Sequence, residues 1–100
     1  MQTFEIAEGV MVKRKPHTEK NVEAFEDARQ EYTKDAEENG NWNEWDYWHT
    51  LLPYFAEPVD PSARLSELDK SEIDVVTAEE LYYEHFLSRS RRHLLKHLKL

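Results

Sequence analysis

The sequence predicts an α+β domain, predominantly helical, in which an N-terminal β-hairpin packs on three to four helices. Three observations carry that expectation. Residues 3–15 hold two β-leaning runs around a Glu8-Gly9 turn, and residues 18–38 and 77–98 space their apolar residues three and four apart, as amphipathic helices do. The third is residues 41–55, NWNEWDYWHTLLPYF, which contain Trp42, Trp45, Tyr47, Trp48, Tyr54 and Phe55, half of the aromatic residues in the chain. Each buried aromatic removes about 150–250 Å² from water, so this stretch supplies much of a small core and its neighbours must cover it. A chain of 100 residues with 39% hydrophobic content sustains one such core and not two, which predicts a single domain over 1–100.

Each element has a local reason. Thr3-Phe4-Glu5-Ile6-Ala7 alternates polar and apolar side chains, Val10-Met11-Val12-Lys13-Arg14 comes next, and Gly9 takes positive φ without penalty. An isolated hairpin is marginal in water, so it is expected to lie on a helix or gain a third strand. Pro16 lacks an N–H donor and ends the second strand. Thr18 caps a first helix over 18–38, whose stripe is Val22, Phe25, Arg29, Tyr32 and Ala36, with Arg29 as the interruption. Its other face is Glu23, Glu26, Asp27, Gln30, Glu31, Lys34, Glu37 and Glu38, and Asn39-Gly40 is its stop.

Asn43 caps a second helix over 43–52, with Trp45, Trp48, Leu52 and Phe55 as the inner face; Pro53 is expected to end or kink it near Leu51. Residues 56–61 read as loop. Asp60-Pro61 suits the start of a short helix over 61–69 that turns Leu65 and Leu68 inward. Glu72 to Val76 is expected to be extended. Thr77-Ala78-Glu79-Glu80 fits a capping box with Thr77 as N-cap, opening a last helix over 77–98. Its inner face is Ala78, Leu81, Tyr82, His85 and Phe86, continued by Leu94, Leu95 and Leu98.

Composition excludes several functions. Without cysteine there are no disulfides, thiolate metal sites or cysteine nucleophiles. No run of eighteen apolar residues or secretory leader is present, so a cytoplasmic protein without a membrane span is expected. The net charge of −8 is unevenly placed: all 21 acids precede residue 85, whereas 85–100 carry five basic residues and no acid. An acidic body repels phosphates, so direct nucleic-acid binding is not expected. The basic stretch 87–100, LSRSRRHLLKHLKL, suits a partner groove, an anionic surface or simply a solvated helix face, and Arg91, Arg92 and Lys96 are its contact candidates.

Catalytic chemistry finds little purchase. His93 and His97, four apart, could share a metal, but no acid lies near them in sequence and they read better as part of the basic face. His85 reads as a partly buried packing residue. The abundant carboxylates sit on solvated helix faces, and no phosphate loop, serine elbow or zinc-protease motif occurs. The chain is therefore expected to be a non-enzymatic protein-binding domain with no catalytic residue, metal or cofactor.

The order of parts resembles the tail assembly chaperones of long-tailed bacteriophages. The resemblance rests on a short hairpin, TFEIAEGVMVKRK, followed by a Pro/Thr-led acidic helix, PHTEKNVEAFEDARQEY, and a Leu/Asp-alternating segment before an aromatic helix, ARLSELDKSEIDVVTAEELYYEHFL. It implies a protein that coats the tape-measure protein during tail assembly in the host cytoplasm and hands it to the tube subunits. Trp42, Tyr47, Tyr54 and Tyr83 are the contact candidates, since the helical stripes leave them outside the core faces; peripheral core is their other reading. The aromatic richness of residues 41–55 and the basic tail exceed that pattern. The alternatives are a small acidic inhibitor that mimics nucleic acid to occupy a host nuclease or defence complex, and a structural component of a virion or other complex.

Overall fold

Gly9, at φ 74°, turns the chain between strands β1 (Thr3–Ala7) and β2 (Val10–Arg14), and its N–H is held by the Glu5 carboxylate at 3.3 Å. The structure, a computed structural model, describes residues 2–87. The expected hairpin is present, with Phe4 opposite Val12 and a bulge between Glu5 and Ala7. It also gains a third strand. β3 (Ala56–Pro58) pairs antiparallel with β2, which becomes the central strand, and the Lys13–Glu57 pair is bridged at 3.7 Å. This corrects the reading of 56–61 as loop: the open edge of β2 supplies the ladder partners that three residues cannot find locally.

Helix α1 (Glu19–Asn39) begins at Thr18, whose hydroxyl accepts from the Asn21 N–H, and ends at Gly40 with φ 65°. Helix α2 (Glu44–Phe55) begins at Asn43, whose side chain accepts from the Asp46 N–H. It runs through Pro53 to Phe55, where a break near Leu51 was expected. Pro53 sits in the last turn, so the missing N–H forfeits one bond before the chain enters β3. The inner face of α2 is Trp48, Leu51, Leu52 and Phe55, and Trp45 is 42% exposed. Three of the four expected inner residues, Trp48, Leu52 and Phe55, are buried; Trp45, one turn before Trp48, lies outside the core, and Leu51, absent from the expected stripe, is fully buried.

The expected helix over 61–69 is replaced by two 3₁₀ turns, Leu65–Glu67 and Lys70–Glu72. The Asp60 carboxylate accepts from the Ser62 N–H and hydroxyl, closing a local turn that competes with helix initiation. Leu65 is buried as expected, and Leu68 is half-buried. Helix α3 (Val75–Glu80) starts earlier than expected. Asp74, not Thr77, is its N-cap, accepting from the N–H groups of Val76 and Thr77, so Val75 and Val76 are helical where an extended segment was expected. The Asp74 N–H in turn donates to the Ile6 carbonyl at 2.8 Å, tying α3 to β1.

α3 continues into a π-helical turn, Leu81–Leu87. The remainder of the expected last helix, with His93, Leu94, Leu95, His97 and Leu98, lies outside the described residues. The core gathers Ile6 and Val12 from the sheet, Phe25 from α1, Trp48, Leu51, Leu52 and Phe55 from α2, and Ala78, Leu81, Tyr82 and Phe86 from the last helical segment. No helix among the described residues is long and apolar enough to cross a membrane.

Candidate functional site

α1 and α2 form a helical hairpin closed by Gly40 to Asn43, so aromatic side chains from the two helices meet along the seam. The deep end is Phe25 against Phe55, with ring centroids 5.7 Å apart. At the open end Tyr32 of α1 meets Tyr47 of α2 at 5.4 Å and Trp42 of the connection at 5.8 Å, and Trp42 closes on Tyr47 at 4.7 Å. From Tyr47 the contacts pass to Trp48 at 5.1 Å, on to Tyr82 at 6.1 Å, and to Tyr83 at 4.8 Å. A continuous row of rings thus leads from the core to solvent, where Trp42 is 58% and Tyr83 52% exposed.

Three of the four aromatic contact candidates belong to this face. Trp42 and Tyr83 are exposed, and half-buried Tyr47 packs on the core between them, as its peripheral-core reading allowed. Tyr54 does not join them. It lines a further cleft of about 480 Å³ with Ala28, Glu31, Lys34, Asp35, Glu38 and Thr50, which Tyr32 borders too. Arg91, Arg92 and Lys96 lie outside the described residues.

The electrostatics mark the face as partly dry. Burial raises the Tyr47 hydroxyl pKa, with Arg29 opposing and Tyr83 and Glu26 reinforcing the rise. Burial, then the negative charge of Glu26, pushes Tyr82 up to about 12. Tyr32 is raised by burial and by donating to the Asp46 carboxylate at 3.0 Å, a bond that also pins the open end of the seam. Arg29, held by Glu26 at 3.0 Å, is raised chiefly by that bond. A face whose Trp and Tyr rings are already ordered by mutual contact, with an arginine held by Glu26 close enough to act on Tyr47, can hold a partner's apolar and hydrogen-bonding groups together.

Sequence reasoning placed Tyr32 and Arg29 on the inner stripe of α1 and so missed their part in this face. The signal was the charge of Arg29 inside an otherwise apolar stripe, which marks the edge of the core. Trp45 is exposed but has no ring partner in this row. Among the described residues, the two carboxyls displaced from ordinary behaviour, Asp60 and Asp69, are each held low by hydrogen bonds from the serine two residues on, which makes them turn-formers. No family model, curated protein or solved structure matches the chain. The chemistry of the aromatic face is therefore the guide to its function.

Proposed function

We propose that this chain is a protein-binding domain that works by contact and not by catalysis, with Trp42, Tyr47 and Tyr83 at its contact face and Arg29 beside it. The observation that carries the reading is the continuous ring contact from Trp42 through Tyr47 and Trp48 to Tyr82 and Tyr83. Anchor residues of protein interfaces are enriched in Trp, Tyr and Arg, and rings held in place before binding lose little conformational freedom when a partner arrives. Together with the hairpin, acidic helix and aromatic helix of the sequence, this supports a chaperone of the phage tail-assembly kind, which shields apolar stripes of a long helical protein until tube subunits replace it.

Affinity capture from the native lysate at low and high salt tests it, using the intact chain and a Trp42→Ala, Tyr83→Ala variant. Recovery of a very long helix-rich protein with a tube subunit, unchanged by salt and lost with the variant, is the expected result. A nuclease or nucleic-acid-binding complex recovered only at low salt, and equally by the variant, would overturn it.

That second outcome has its own motivation. Glu23, Asp27, Glu31 and Asp35 are all exposed on α1 at four-residue intervals, which sets them about 6 Å apart along the helix axis. Such a row is what a phosphate-mimicking inhibitor needs. The exposed Lys34 beside it weakens the row's field, which is why this reading stands second.

A further inference from the structure

The π-turn after α3 brings together side chains that an α-helix would keep apart. In an α-helix the residues stacked over position i are i+3 and i+4; the wider π-turn moves i+5 towards that line. Along this stretch one oxygen each of Glu80 and Glu84 and one ring nitrogen of His85 all lie within 4.8 Å of one another. Phe4 of β1 packs on the imidazole with ring centroids 4.9 Å apart. Glu80 also lines a groove of about 610 Å³ along β1, where Glu5, Glu8, Glu72 and Asp74 add four further carboxylates.

We infer that Glu80, Glu84 and His85 form a binding site for a first-row divalent cation of the zinc type. The donor set decides the class. One imidazole with two carboxylates suits Zn²⁺, whereas Ca²⁺ and Mg²⁺ prefer oxygen alone and more of it. Ligands of a tetrahedral zinc with bonds of ~2.1 Å are roughly 3.4 Å apart, within the 4.8 Å that already encloses these three atoms. Two carboxylates and a neutral imidazole balance the charge of the ion, and the groove raises the local concentration of cations. Three protein ligands leave one position open to water or to a donor from a partner.

The test is zinc titration of the full chain by calorimetry, with native mass spectrometry to count bound ions. His93 and His97 offer a rival pair, so His85→Ala, Glu84→Gln and a His93→Ala, His97→Ala double variant are compared. One ion per chain is expected, weakened about tenfold or more by either His85→Ala or Glu84→Gln and unchanged by the double variant. Glu84→Gln alters an exposed side chain, so its loss of binding with an unchanged circular dichroism spectrum separates ligation from folding. No bound zinc, or zinc lost only with His93 and His97 replaced, overturns the site.

Discussion

Phe25 and Tyr82 stack with ring centroids 4.6 Å apart and planes inclined by 29°, which fastens α1 to the π-turn across the middle of the core. Phe25 also meets Phe55 and Phe86, so one side chain joins three segments distant in sequence. Replacing it leaves a cavity bounded by aromatic rings that cannot collapse into it. Phe25→Ala should cost about 3–5 kcal/mol, measured by urea unfolding. A loss below about 1 kcal/mol would mean that the three segments do not share this core.

Tyr82 gives the fold a dependence on alkaline pH. Its folded pKa is raised to about 12 by burial, against about 10 in the unfolded chain. The folded state therefore keeps the phenolic proton that the unfolded state releases. Stability from this group is complete below about pH 10 and declines by roughly 1.4 kcal/mol per unit as pH rises towards 12. Tyr32 and Tyr47, also raised by burial, steepen the decline. Denaturant midpoints at pH 9 and 11 should diverge for the native chain and diverge less for Tyr82→Phe; equal divergence in both would remove Tyr82 as a cause.

The start of α3 separates two caps that read alike in sequence. Asp74 accepts two backbone N–H bonds, at 3.1 and 3.2 Å. Asp74→Ala should cost about 1 kcal/mol, and Thr77→Ala, within the helix, a few tenths at most. Thermal unfolding of both variants decides the matter, and the reverse order of effects would restore Thr77 as the cap.

Gly40 isolates the cost of a backbone angle. Its φ is 65°, and a Cβ placed there would meet nothing within 4 Å. Gly40→Ala should therefore destabilise by about 1–2 kcal/mol through the left-handed conformation alone. A much larger loss in equilibrium unfolding would show that the connection from α1 to α2 is crowded.

Trp42 should affect binding far more than folding. It is 58% exposed and touches Tyr32 and Tyr47, so Trp42→Ala should lose about 1 kcal/mol of stability while removing a contact anchor. Trp45→Ala, equally surface-altering but outside the ring row, is expected to retain the partner. If Trp45→Ala abolishes capture and Trp42→Ala does not, the contact face lies on the other side of α2.

Much of this fold was legible locally. Thr18 and Asn43 cap their helices, Gly9 and Gly40 take positive φ, and α1 buries Phe25 and Ala36, because side-chain-to-backbone bonds and helical periodicity act within a few residues. The aromatic richness of residues 41–55 likewise pointed to the segment from which both core and surface are built. Pairing and register were decided at longer range. Ala56–Pro58 is a strand only because β2 offers an open edge, and Pro53 is tolerated because that strand begins immediately after the helix. Trp45 is left outside the core and Leu51 is buried because several segments, not one helical face, enclose α2. The joining of Trp42, Tyr47 and Tyr83 into one face has the same origin. Tyr83 is 41 residues beyond Trp42, and no periodicity within either segment specifies that the π-turn will pack beside the α1–α2 seam. Sequence determined which elements form and which residues are available to bind; packing against distant partners determined which of those residues share a surface.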